Sequence, residues 1–105
     1  MIDEKTLKII KSLTVMAVAQ VDGVLYFAED SVDGQEPAYR SAKGVSVEVV
    51  REKAVIDITV SILNGYSIPD LCCEIQQRVI QEVEKALPVK VSAVNVNING
   101  IIFKR

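Results

Sequence analysis

Two stretches of the chain alternate apolar and polar residues one for one. Val45, Val47 and Val49 are interleaved with Ser46 and Glu48, and Ile56, Ile58, Val60 and Ile62 with Asp57, Thr59 and Ser61. A period of two is the mark of a strand that buries one face. A tight turn at Glu52-Lys53 pairs Val49 with Ile56, Val47 with Ile58 and Val45 with Val60, which gathers the aliphatic side chains on one side. No Asn-Gly or Asp-Gly specifies the turn type. The same pairing sets Glu48 opposite Asp57, a like-charge contact that a nearby cation or solvent must relieve.

Around this hairpin the period changes. Residues 3–20 read as a helix whose apolar face carries Leu7, Ile9, Ile10, Leu13, Met16 and Ala17, with Lys5, Lys8 and Lys11 toward water. Asp22-Gly23 stops it. A second helix opens at Ser67-Ile68-Pro69-Asp70, where Ser67 caps, Pro69 suits the first turn and Asp70 complements the dipole. Ile68, Leu71, Cys72, Ile75, Val79 and Val83 share its apolar side, Glu74 and Arg78 form an i, i+4 pair, and Pro88 ends it. Val94, Val96 and Ile98 then face inward along a last strand, with Asn95, Asn97 and Asn99 facing out; Ile101-Ile102-Phe103 can extend it. A short strand is expected at Val24–Ala28, and a mobile polar loop at Glu29–Lys43. Counted from Asp30, that loop places Val32 and Gly34 where a calcium loop needs its third and fifth ligands, so a solvated loop is expected. The order α-β-β-α-β gives an α+β fold: a small mixed sheet with two helices packed on one face.

Composition narrows the function. A chain of 105 residues is the length of a single domain, residues 1–105, able to bury about 65% of its unfolded surface. With two Phe, three Tyr and no Trp, its core must be aliphatic. Net charge is −2, and the basic residues are scattered rather than striped, so no nucleic-acid partner is expected. No apolar run is long enough to insert in a membrane, and the start Met1-Ile2-Asp3-Glu4-Lys5 lacks the basic region of a signal peptide. The adjacent pair Cys72-Cys73 suits a reducing compartment; the expectation is cytoplasmic, with Cys72 in the core and Cys73 at its edge. The chain has no histidine, which removes the commonest general base, nucleophile partner and metal ligand. No Gly-rich phosphate loop or Cys-x-x-Cys is present. Glu48 and Asp57 on an open face lack a pocket to part their pKa values. No enzyme, cofactor or metal site is expected.

The wording of several segments resembles the alkaline-shock protein family of Gram-positive-type bacteria. The carriers are Val21-Asp22-Gly23-Val24, Lys43-Gly44-Val45 and Val55-Ile56-Asp57-Ile58, then Gly65-Tyr66-Ser67-Ile68-Pro69-Asp70, Ile75-Gln76 with Val79, and Val94 to Gly100. The hairpin turn Arg51-Glu52-Lys53 departs in lacking the usual Gly, and Cys72-Cys73 and the Glu29–Lys43 loop depart as well. The resemblance implies a non-enzymatic protein linked to stress or cell-envelope homeostasis. It implies binding to other proteins, self-association into a homo-oligomer, and attachment to the membrane through an anchored recruiter. The candidate interaction face is the polar side of the sheet: Glu48, Asp57, Thr59, Asn95, Asn97 and Asn99, with Ser46 and Ser61 beside them. A second reading is a regulatory or carrier domain that binds a small ligand or a metabolic enzyme.

Overall fold

A computed structural model describes residues 2–24 and 44–103. Helix α1 (Glu4–Ala19) is followed by strands β1 (Val45–Val50) and β2 (Lys53–Leu63), helix α2 (Ile68–Ala86) and strand β3 (Val91–Ile102). The sheet runs β1-β2-β3, antiparallel between β1 and β2 and parallel between β2 and β3. Parallel neighbours need a long crossover, and α2 is that crossover. It packs on β3 and on α1, while α1 also packs on β1. The expected α-β-β-α-β order and mixed sheet are the observed ones.

β2 lies between the other strands, which is why its alternation is so regular. Ala54, Ile56, Ile58, Val60 and Ile62 are all at most 1% exposed, and they share one core with Ile10 and Val18 of α1 and Ile75, Val79 and Val83 of α2. The helix starts follow local chemistry. The Asp3 carboxylate accepts the Thr6 N–H at 2.8 Å, and hydrogen bonding from the Thr6 side chain, with this backbone bond second, lowers its pKa from the ordinary value. Ser67 caps α2 at the Asp70 N–H, with a proline in the first turn.

Several expectations need correction. The hairpin pairs Val45 with Ile58, Val47 with Ile56 and Val49 with Ala54, two residues from the expected register. Its loop is Arg51-Glu52, closed by Val50 and Lys53, and both loop residues have positive φ, 53° and 64°. That is the pattern of a type I′ turn, whose twist matches the flanking strands. The two registers bury the same faces and each makes three apolar pairs, so alternation alone does not separate them; the two-residue turn sets the observed one. Glu48 therefore faces Val55, and Asp57 faces Ser46. The expected Glu48–Asp57 opposition does not occur.

In α1 the buried residues are Ile10, Thr14, Val15, Ala17 and Val18, whereas Ile9 and Met16 are 41% and 60% exposed. Thr14 can stand inside because its hydroxyl donates to the Ile10 carbonyl at 2.8 Å. In α2, Ile68 is exposed in the first turn, Cys72 is half-buried and Cys73 exposed, so neither cysteine belongs to the core. β3 begins at Val91, three residues earlier than the alternation suggests, and continues to Ile102. Of the strand expected at Val24–Ala28, Val24 makes an antiparallel bridge to Ile62. The rest, with the Glu29–Lys43 loop, lies outside the described residues.

Candidate functional site

The side of the sheet away from the helices is built in rows across the strands. Asp57 in β2 stands between Ser46 of β1 and Asn95 of β3, and Thr59 stands beside Asn97. Glu48 belongs to the adjoining row, next to Val55, whose neighbour on the other side is Ala93. The structure thus brings Asp57, Thr59, Asn95 and Asn97 together and sets Glu48 one row away. Asn99 falls at the ladder irregularity between the Val60–Ile98 and Ser61–Gly100 pairs, so it is exposed but out of step with the other two asparagines. Ser61 is not part of the exposed face. It is 3% exposed, a small side chain on the central strand between Gly100 and the Val24–Ile62 bridge.

Two amides of this face are already engaged. Asn95 Nδ2 donates to Asp57 Oδ1 at 3.0 Å, and Asn97 Nδ2 makes a longer bond, 3.4 Å, to the Ile58 carbonyl. With no Glu48 opposite it, the Asp57 carboxylate takes its hydrogen bond from the Asn95 amide. Each amide keeps an oxygen and a second N–H, and Asp57 keeps its other oxygen. What remains is a row of donors and acceptors with a carboxylate at its centre. It is suited to hydrogen bonding with another surface.

A second assembly escaped the sequence reading. At the hairpin-tip end, Arg51, Lys53 and Lys90 line a cavity of about 430 Å³ with Glu52, Thr6, Ile2 and the Leu87–Val89 segment. Arg51 and Lys53 flank Glu52 in one turn, but Lys90 is far away in sequence, so the three read there as scattered charge. The available signal was the Arg-Glu pair in a turn that favours Asn-Gly.

Among the described residues no helix is long and apolar enough to cross a membrane. Two solved structures, both variants of the MamM CTD and one of them a zinc form, share the fold at 12% and 13% identity, each with a TM-score of 0.52. They cover 91% and 92% of this chain and 94% and 88% of their own. The chain is also similar to the uncharacterized protein YqhY of Bacillus subtilis (strain 168), 24% identical over 99 residues, which span 91% of this chain and 73% of YqhY. Residues 2–103, almost the whole chain, match the family expected from the segments around Gly23, Gly44, Tyr66 and Asn97, one described as of cell envelope-related function. The chain belongs to the alkaline shock protein 23 family.

Proposed function

We propose that this protein is a non-enzymatic interaction module of the cell envelope, which binds other proteins, copies of itself among them, through the outer face of its sheet. The observation that supports this reading is the face itself. Asn95, Asn97 and Asn99 are exposed along a strand, where asparagine is disfavoured. The helices lie on the other side, and the Asp57–Asn95 pair fixes one carboxylate at the centre. Amides held in place by the sheet present directional hydrogen-bonding groups without adding charge. In this reading the protein works on the cytoplasmic side and reaches the membrane through an anchored recruiter.

The test is the triple substitution N95T/N97T/N99T. Threonine raises strand propensity, and the bonds forfeited are exposed or long, so stability should change by no more than about 1 kcal/mol. Light scattering after size exclusion, together with crosslinking in the source cell, should then show loss of oligomer or of crosslinked partners. Unchanged assembly and crosslinks in an equally stable variant would reduce the stripe to a solvated face.

A further inference from the structure

We propose that the cavity at the hairpin tip is a binding site for a small amphiphilic phosphate ester, independent of the outer sheet face. Its volume, about 430 Å³, is that of a small-molecule pocket. Arg51, Lys53 and Lys90 supply three cations against the one carboxylate of Glu52, on a chain whose net charge is −2. Among the described residues the ion pair is Arg78–Glu74, far along α2, and none of these three cations has a carboxylate within salt-bridge distance. An excess of two positive charges complements a phosphate monoester, which carries about −1.5 to −2 at neutral pH. The remaining wall is Ile2, Leu87, Pro88 and Val89, with Thr6 as its one neutral polar side chain. A head group and a short hydrocarbon body are both provided for.

The site is held in place before any ligand arrives. The Ala54 N–H donates to the Lys90 carbonyl at 2.9 Å, tying Lys90 to the residue after Lys53. The connection between α2 and β3 is anchored at both ends, by the Leu87 N–H on the Val83 carbonyl at 3.0 Å and the Val91 N–H on Glu84 Oε2 at 2.9 Å. Arg51 is placed by the turn. Both it and Glu52 take left-handed conformations, φ 53° and 64°, that Asn-Gly would adopt with less strain. Strained residues that line a cavity point to a role for their side chains. Here the retained side chain is the guanidinium, the group best shaped for phosphate.

This provides a test in which loss of binding cannot be confused with unfolding. R51N/E52G installs the preferred turn and removes the guanidinium, so the variant should melt at or above the wild-type temperature. Amide chemical shifts of the full chain would be followed during titration with monooctyl phosphate, inorganic phosphate and octyl glucoside. We expect saturable shifts at residues 51–53 and 89–90 with octyl phosphate, at least about tenfold weaker binding of inorganic phosphate, and no matching shifts with octyl glucoside. R51N/E52G and K90Q should each weaken octyl phosphate about tenfold or more, while E52G alone should not. Flotation with phosphatidylcholine vesicles containing phosphatidic acid separates the sources. Binding that depends on Arg51 and Lys90 assigns the phosphate to a lipid head group, and its absence with octyl phosphate still bound assigns it to a soluble ester; either supports the site. The proposal is overturned if octyl phosphate gives no saturable shift at these residues up to about 10 mM. Equal affinity of the stable R51N/E52G variant, or equal response to octyl glucoside, overturns it as well.

Discussion

At the residue scale Gly23 shows how one position can be fixed by several demands. Its φ is +92°, a region that residues with a Cβ rarely adopt, and its carbonyl accepts the Leu63 N–H at 2.7 Å. A Cβ built on it would lie 2.7 Å from Cγ and Cδ2 of Tyr66, near the base of the ring rather than at a movable tip. Gly23 thus joins the end of α1, the end of β2 and the turn before α2. Gly23→Ala should cost about 2–4 kcal/mol, part from the left-handed backbone and part from the ring. The parts separate in a denaturation double-mutant cycle with Tyr66→Ala. The alanine at 23 should cost less in that background, and equal costs would show that the ring yields freely. The sequence announces the first demand, because Asp22-Gly23 reads as a helix stop. It cannot announce the second, since the Tyr66 contact crosses more than forty residues of chain.

Strand β3 is best understood at the scale of elements, because α2 supplies polar groups to it. Gln76 Nε2 donates to the Val94 carbonyl at 3.0 Å, and Glu84 accepts the Val91 N–H at 2.9 Å. Gln76 and Glu84 are eight residues apart, close to two helical turns, so one side of the helix meets the start of the strand twice. Their polarity alone reads as solvent-facing, and the structure assigns them a structural role. Glu84→Ala should cost about 1–3 kcal/mol, since a part-buried N–H loses a charged acceptor. Faster hydrogen exchange at Val91, with exchange in the centre of β2 unchanged, would confirm a local effect; uniform acceleration would mean that the bond supports the whole fold. Other features at this scale follow the same division. The existence and type of the five elements among the described residues were legible, because alternation and capping are local patterns. The hairpin register was not, because parity is blind to a shift of two and Arg-Glu gives no turn signal. The exposed face of α1 was misread for a related reason. Ile9 and Met16 are as apolar as the residues that are buried, and only the position of β1 and α2 decides which side of the helix is covered.

At the scale of the molecule, one core joins every described element, and β2 runs through it. The outer face and the hairpin-tip cavity are both carried on this central strand or its turn, so each depends on the inward side chains of β2 for its geometry. The asparagine stripe was legible as a face, because alternation places it there, but its internal bonds and the displacement of Asn99 depend on strand neighbours and a ladder irregularity that no local pattern encodes. The strand's inward side gives the sharpest test of the architecture. Ile58 has no exposed surface, pairs with Val45 on one side and Val96 on the other, and lies at the middle of the core. Ile58→Asp removes a fully buried aliphatic side chain, a loss of about 2–5 kcal/mol, and adds a carboxylate that must be buried unpaired or protonated at further cost. A domain of this size has about 5–15 kcal/mol in all. The variant should therefore show no cooperative melting transition by circular dichroism. Asn99→Asp adds the same charge on the exposed side of β3, where solvent and the local irregularity accommodate it, and should melt within a few degrees of wild type. Survival of Ile58→Asp with a native-like transition, or unfolding of Asn99→Asp, would mean that the two faces of the sheet have been exchanged.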